Sequence, residues 1–158
     1  MPTDSHMHTL DQVYDTYADM LYRVSVSILQ SGDDAEDAVQ NAFCRYLEHA
    51  PSFQDTEHEK AWLIRVTVNQ CKDLLRRRKI RAWLPFEELP EMAAPDTASP
   101  VMEAIAALPD KYREVVVLHH LEEMSVRETA AALTISESAV KMRLTRAREM
   151  MRAYLTET

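Results

Sequence analysis

Residues 125–148 read SVRETAAALTISESAVKMRLTRAR and contain the signals for two short-linked helices. Ser125 followed by Glu128 predicts a capping box at the start of the first helix, and Ser136 is expected to cap the second. Ala130 supplies the small residue that two crossing helices need. The apolar residues that flank or face the turn are Leu133, Ile135 and Val140. These spacings fit a helix-turn-helix, two helices joined by a three-residue turn.

The second of these helices has two different faces. Val140, Leu144 and Ala147 repeat at spacings of four and three and are predicted to be core. The opposite face carries Ser138, Lys141, Met142, Thr145 and Arg146. Such a face suits a DNA major groove, because cations contact phosphates and guanine edges and a methyl-bearing side chain contacts thymine. The alternative is a solvated charged face on an ordinary bundle helix.

Thr134 stands in the turn, where glycine is usual because the backbone there often has a positive φ. A β-branched residue is disfavoured in that conformation by about 1 kcal/mol. The sequence therefore predicts either an adjusted turn or a slightly strained one.

Composition indicates an all-α protein. Gly32 is the only glycine in 158 residues, whereas β-rich folds use many glycine-containing turns. The apolar fraction of 46% is sufficient for folded cores. No apolar run is long enough to span a membrane and the first ten residues do not resemble a secretion signal, so a cytoplasmic protein is expected. Cys44 and Cys71 are expected to be buried, reduced thiols.

The charge of the chain is unevenly distributed. The net charge is −8, but residues 60–81 hold eight bases against one acid, and residues 141–152 hold five bases against one acid. A polyanion responds to the local field rather than to the net charge. The sequence therefore predicts two separate phosphate-binding surfaces.

The chain divides into two predicted helical domains, residues 9–80 and 101–155, and a linker. Residues 81–100 hold four of the seven prolines and more acids than bases, which predicts a semi-extended, acidic linker. In the first domain, Gly32 is expected to end the first helix, and Asp33 with Glu36 to cap the second. Residues predicted to be buried in that second helix are Ala35, Ala38, Val39, Ala42, Phe43, Tyr46 and Leu47, and those predicted to be exposed are Asp34, Asp37, Gln40, Asn41 and Cys44.

A loop over residues 52–58 leads into a third helix that ends in a basic cluster. One broad stripe of this helix contains Trp62, Arg65, Val66, Asn69, Lys72, Asp73 and Arg76, with Arg77 beside it. An aromatic ring, an amide and several cations on one face suit contact with a nucleic-acid backbone and stacking on bases. A core helix with a solvated basic end fits the spacing equally well.

Three segments in order resemble the extracytoplasmic-function (ECF) sigma factors. They are DDAEDAVQNAF at 33–43, WLIRVTVNQCKDLLRRR at 62–78, and LPDKYREVVVLHHLEEMSVRETAAALTISESAVKMRLTRARE at 108–149. Together the resemblance covers about residues 10–155. It implies a sigma region two in the first domain and a sigma region four in the second.

The resemblance also implies partners and roles. Asp34, Asp37, Gln40 and Asn41 would dock on the clamp helices of the RNA polymerase beta-prime subunit. The loop 52–58 and the helix bearing Trp62, Arg65 and Asn69 would melt the minus-ten element of promoter DNA, with Lys72, Arg76 and Arg77 on the same basic helix. Lys141, Met142, Thr145 and Arg146, with Ser138 at the helix start, would read the minus-thirty-five element. The second domain would contact the beta flap, the linker would run toward the polymerase active site, and an anti-sigma protein would hold the free factor. Val68 stands where many members have a basic residue, so one phosphate contact is expected to be missing.

Two other function classes are alternatives to a sigma factor. A helix-turn-helix regulator that binds duplex DNA without polymerase explains residues 108–155 but leaves the other basic helix without a role. An enzyme has little support, because no catalytic motif is present and no cofactor or metal is implied. Adjacent histidines such as His119 and His120 point about 100° apart on a helix and cannot share a metal, so one is expected to be buried and one exposed.

Overall fold

The computed structural model describes residues 9–82 and 99–157, with side chains described for 9–80 and 99–157. All regular secondary structure in those ranges is helical, which confirms the all-α prediction. The chain forms two compact units that divide at residue 90. Most of the predicted linker, residues 83–98, lies outside the described part of the chain.

The N-terminal unit contains three helices that all pack on one another: α1 (Leu10–Leu29), α2 (Gly32–His49) and α3 (Thr56–Ala82). Its core is formed by Val13, Leu21, Val24 and Ile28 of α1, Ala35, Ala38 and Ala42 of α2, and Leu63, Ile64 and Val68 of α3. The alanines of α2 let the neighbouring helices approach closely. The long third helix is thereby fixed along much of its length.

The predicted turn between α1 and α2 was wrong in detail. Helix α1 ends at Leu29, and Gln30 takes the left-handed conformation with φ 59°. Ser31, not Asp33, caps α2, since its Oγ accepts a hydrogen bond from the backbone N–H of Asp34 at 3.3 Å. Gly32 is the first residue of α2 and does not end α1. Several adjacent residues could have ended or capped a helix here, and the packing of the two helices decides among them.

Two burial predictions for α2 were also wrong. Leu47 was predicted to be buried but is 65% exposed, because Tyr46 occupies the inward position and the next residue is rotated by about 100°. Cys44 is exposed, as its place on the outer face of α2 predicted, so of the two thiols expected to be buried only Cys71 is buried.

The C-terminal unit contains α4 (Pro100–Ala107), α5 (Asp110–Val116), a π-helical segment (Val117–Leu121), α6 (Val126–Leu133) and α7 (Glu137–Glu157). The helix that begins at Asp110 is therefore α-helical only as far as Val116. The core contains Ile105, Leu118, Val140, Leu144 and Ala147. His120 is exposed and His119 is half-buried rather than buried, with its Nδ1 2.7 Å from the carbonyl oxygen of Met124.

Candidate nucleic-acid interface

Helices α6 and α7 form the helix-turn-helix as predicted. The hydroxyl of Ser125 accepts from the N–H of Glu128 at 3.0 Å, and the Glu128 carboxylate accepts from the N–H of Ser125 at 2.9 Å. Ser136 accepts from the N–H of Ala139 at 3.0 Å and caps α7. Ala130 is buried at the crossing of the two helices. Both caps and the crossing fix the angle at which α7 leaves the turn.

Thr134 adopts the left-handed conformation with φ 59° and ψ 46°, which confirms the strained alternative. Its backbone N–H and that of Ile135 both donate to the carbonyl of Ala130. These two bonds close the end of α6 and hold a threonine where glycine would be relaxed.

The outer face of α7 presents the five side chains predicted for DNA contact, and all are exposed: Ser138, Lys141, Met142, Thr145 and Arg146. Val140, Leu144 and Ala147 on the other face are buried. Met142 is 60% exposed, which leaves an apolar side chain among cations on an open surface. The structure therefore brings this predicted set together on one accessible strip.

A polar cleft of about 390 Å³ lies between α2 and α3. It gathers three of the predicted minus-ten residues, Asn69, Lys72 and Arg76. Arg45 of α2 and Gln70 also line it, together with Val66 and Asp73. Three cations face one carboxylate, so the cleft favours an anion such as a phosphate. Sequence reasoning missed Arg45, because only the packing of α2 on α3 brings it to this site.

Trp62 does not line this cleft. It lies in an aromatic cluster with Tyr46 of α2 and Phe53 of the loop, at ring-centroid distances of 6.0 and 5.9 Å. Tyr46 also donates a hydrogen bond to the fully buried carboxylate of Glu59 at 3.0 Å. Burial, followed by this contact with Glu59, raises the pKa of Tyr46 well above its ordinary value. The predicted loop 52–58 is shorter than expected, because α3 already begins at Thr56, and the cluster joins residues 52–55 to the start of α3.

The basic end of α3 is not uniformly available. Arg76 and Arg77 are exposed, but Arg78 is mostly buried and turned back into the unit. It donates to the carbonyl of Leu29 at 2.7 Å and pairs with the carboxylate of Asp34. The cluster predicted from the sequence therefore contains both surface cations and a structural one.

Of the four residues predicted for polymerase docking, three are exposed and one is partly buried. Asp37, Gln40 and Asn41 are exposed on α2, whereas Asp34 is partly buried against Arg78. Val68, where one phosphate contact was expected to be missing, is 1% exposed and lies in the core.

A second cleft, of about 430 Å³, is confined to the C-terminal unit and is mainly apolar. Its apolar walls are Val101, Ile105, Val116, Leu144, Met151 and Leu155. His120, Arg148 and Arg152 also line it. Although His120 is exposed, the partial burial of its ring in this cleft, followed by the neighbouring His119 and Arg148, lowers its pKa from the ordinary value. Val101, Leu121 and Leu155 are exposed apolar residues of the C-terminal unit. Because they do not share a helical periodicity, the sequence did not indicate that they belong to one cleft.

Within residues 9–82 and 99–157, no cluster of three or more His, Cys, Asp or Glu side chains could hold a metal ion. In the same part of the chain, no helix has the length and apolar character of a membrane span.

Comparisons with known proteins match both units. The family model for sigma-70 region 2 matches residues 13–81, and the model for sigma-70 region 4 matches residues 99–151. The ECF RNA polymerase sigma factor SigW of Bacillus subtilis strain 168 is 30% identical over an alignment covering 92% of this chain and 88% of SigW. The RNA polymerase sigma-E factor of Streptomyces antibioticus is 34% identical, over 92% of this chain and 83% of that protein.

Solved structures give the same result. CnrH, in complex with the cytosolic domain of CnrY, matches with a TM-score of 0.72 and 29% identity, over 94% of this chain and 88% of CnrH. The sigma factor RpoE of Bartonella quintana, in complex with the anti-sigma factor NepR, matches with a TM-score of 0.74 over 92% of this chain and 96% of RpoE. At 21% identity the second match supports the fold alone.

Proposed function

This chain belongs to the sigma-70 family, in its group of ECF RNA polymerase sigma factors, and from that premise we propose how its surfaces divide the work of initiation. As a sigma factor it binds core RNA polymerase and directs promoter recognition, promoter melting and the start of transcription. The single observation that supports the division of work is the pair of cationic helical surfaces, one in each compact unit. We assign residues 9–80 to region two, 81–100 to the linker and 101–155 to region four.

Region four reads the minus-thirty-five element through α7. Lys141 and Arg146 are exposed cations for phosphates or guanine edges, and Met142 offers an apolar contact for a thymine methyl group. Ser138 and Thr145 supply short hydroxyl groups on the same strip. A bidentate base contact by Arg146 would contribute about 1–3 kcal/mol of discrimination between bases.

Region two holds the opened minus-ten element. The cleft of Asn69, Lys72 and Arg76, with Arg45, binds the backbone of the single strand, and Arg77 continues this positive surface. Arg65 is half-buried beside it. Residues 52–55, the part of the predicted loop that precedes α3, and the Trp62 cluster take an unstacked base, which needs hydrogen-bonding groups beside an aromatic surface.

The acidic face of α2 docks on the beta-prime clamp helices. Asp37, Gln40 and Asn41 are exposed and available for this contact. Asp34 can contact the clamp helices only if its ion pair with Arg78 is partly broken, so we expect Asp34 to contribute less to polymerase binding.

The apolar cleft of the C-terminal unit is the site we assign to the beta flap. An open apolar groove edged by cations suits an amphipathic helix laid into it. We also propose that an anti-sigma protein holds the free factor, as the anti-sigma factor NepR binds RpoE in the solved complex. On this account the chain works in the cytoplasm as a specificity factor and is not itself a catalyst.

Neither unit is expected to bind a promoter tightly alone. When the polymerase fixes both units, binding of the second element becomes intramolecular, and two weak affinities multiply through effective concentration. A helix-turn-helix regulator without a polymerase contact would need no such arrangement and would leave α2 and α3 without a role.

In vitro run-off transcription tests the proposal. Core RNA polymerase is combined with the full chain and a library of upstream regions. Promoter-dependent RNA that requires the chain supports the proposal. Absence of such RNA, with no retention of the chain on core enzyme, contradicts it and favours the regulator.

A further inference from the structure

The segment between α2 and α3 is mostly exposed, yet one of its side chains is buried. Phe53 is 8% exposed, whereas Ser52 and Gln54 on either side of it are exposed. The Phe53 ring lies against those of Tyr46 and Trp62, with centroids 6.0 and 5.9 Å away. Phe53 therefore attaches the segment to the three-helix unit and leaves its two polar neighbours facing solvent.

His58, in the first turn of α3, makes two more contacts with this segment. Its ring meets the Phe53 ring edge-on, with centroids 5.2 Å apart and planes 87° apart. Its Nδ1 accepts a hydrogen bond from the backbone N–H of Gln54 at 3.2 Å. The ring and the acceptor atom of one side chain thus hold two successive residues of the segment.

Asp55 completes the arrangement from the other side. Its Oδ1 accepts a hydrogen bond from the backbone N–H of His58 at 2.7 Å. Together, the hydrogen bonds to Nδ1 of His58 and Oδ1 of Asp55 are similar to a capping box. In a capping box the third helical residue is normally Glu or Gln, and its side chain accepts a hydrogen bond from a backbone N–H that precedes the helix. Here a histidine takes that part and adds an aromatic contact that Glu or Gln would lack.

We propose that His58 is a positioning residue for promoter opening, which sets the conformation of residues 52–55 before they meet DNA. This inference rests on the proposed function, because it concerns the loop assigned to the unstacked base. A loop that is already ordered avoids the entropy cost of being ordered on binding. His58 is half-buried and acts through its contacts with Phe53 and Gln54. The exposed side chain of Gln54 is then the group that contacts the base.

The acceptor atom and the ring can be tested separately in the full chain. His58→Phe keeps a ring against Phe53 but has no acceptor for the Gln54 N–H. His58→Asn lacks the ring, but its amide oxygen takes the place of Nδ1. His58→Ala has neither the ring nor an acceptor. His49→Phe is the matched control, since His49 lies at the exposed end of α2.

The measurement is permanganate reactivity of unpaired thymines in the minus-ten element of a promoter bound by reconstituted holoenzyme. We expect His58→Phe and His58→Ala to form about three- to tenfold fewer open complexes, as for the loss of one net hydrogen bond. Binding to core enzyme should be unchanged. His58→Asn should recover most of the opening, and His49→Phe should behave as the unmodified chain.

Several results would overturn the inference. Opening by His58→Phe at the unmodified level would show that the acceptor has no part in it, and opening by His58→Asn as poor as by His58→Ala would show the same. If His58→Phe fails to fold, as judged by its urea unfolding, the Asn and Ala variants decide the question alone. Failure of the unmodified holoenzyme to open any promoter would instead contradict the proposed function.

Discussion

Replacing Arg78 by Met should destabilise the N-terminal unit, whereas replacing its neighbour Arg77 should not. The Arg78 guanidinium donates to the Leu29 carbonyl at 2.7 Å and to the carboxylate of Asp34. The Leu29 carbonyl lies at the end of α1, where carbonyls lack helical partners. Met keeps much of the aliphatic stem of Arg78 but leaves both acceptors without their donor.

The size of the effect follows from these two contacts. A hydrogen bond from a charged donor contributes about 1.5–3 kcal/mol. Since the Asp34 side chain is 34% exposed and partly screened by solvent, we add only about 0.5 kcal/mol for the ion pair. The expected loss is about 2–3.5 kcal/mol, or at least about 30-fold in the folding equilibrium.

Urea unfolding of the full chain, followed by the fluorescence of Trp62 in a Trp83→Phe background, measures this loss. With a urea slope of about 2 kcal/mol per molar, the midpoint for Arg78→Met should fall by about 1–1.8 M. Arg77→Met should change stability by less than about 0.5 kcal/mol, because Arg77 is exposed. Equal midpoints for the two variants would refute the structural role of Arg78.

Other predictions concern the remaining surfaces. Thr134→Gly should stabilise the C-terminal unit by about 0.5–1 kcal/mol, because the strain removed from the left-handed backbone exceeds the added conformational entropy of the unfolded glycine. Hydrogen exchange of the α7 amides measures this gain in stability. Asp37→Arg should weaken retention on core polymerase by about tenfold or more through like-charge and packing losses at the docking face, measured by pull-down. Arg146→Ala should lower transcription through the minus-thirty-five element and reduce the salt slope of DNA binding by about one. Arg148→Gln should raise the pKa of His120 toward its ordinary value, and burial should keep it from returning fully, as followed by NMR titration of the ring protons.

Each of these has a control and a contrary result. Thr134→Ala lacks the β-branch but keeps a Cβ, so a gain as large as that of glycine would contradict strain from the Cβ. Glu103→Arg, a charge reversal at an exposed site on α4, should leave polymerase retention unchanged. Equal losses on promoters with and without the minus-thirty-five element would contradict the role of Arg146. A His120 titration unmoved in Arg148→Gln would contradict the repulsion between the two groups.

Local signals in the sequence predicted local structure well. The Ser125 and Glu128 capping box and the positive φ of Thr134 depend only on neighbours within a few residues, and the structure confirms both. The turn at residues 30–33 was predicted wrongly because a glutamine, a serine, a glycine and an aspartate in a row each permit a different boundary. Packing between α1 and α2 selects one of them.

Features that join distant parts of the chain could not be predicted in this way. Arg45 reaches the polar cleft only because α2 packs on α3. Arg78 contacts residues 44 and 49 positions away, which no periodicity indicates. The exposed strip of α7, by contrast, followed directly from helical periodicity, since its five members lie opposite a buried stripe.

On the proposed function, the two cationic surfaces bind separate promoter elements in one complex. Directed DNA cleavage locates the element that lies next to each surface. In a Cys44→Ser background, with buried Cys71 retained, a cleavage reagent is attached to Ser138→Cys on α7 or to Ser52→Cys in the loop. In holoenzyme on one promoter, the first should cut at the minus-thirty-five element and the second at the minus-ten element. Cutting by both at the same element, or the same pattern without core polymerase, would contradict the account.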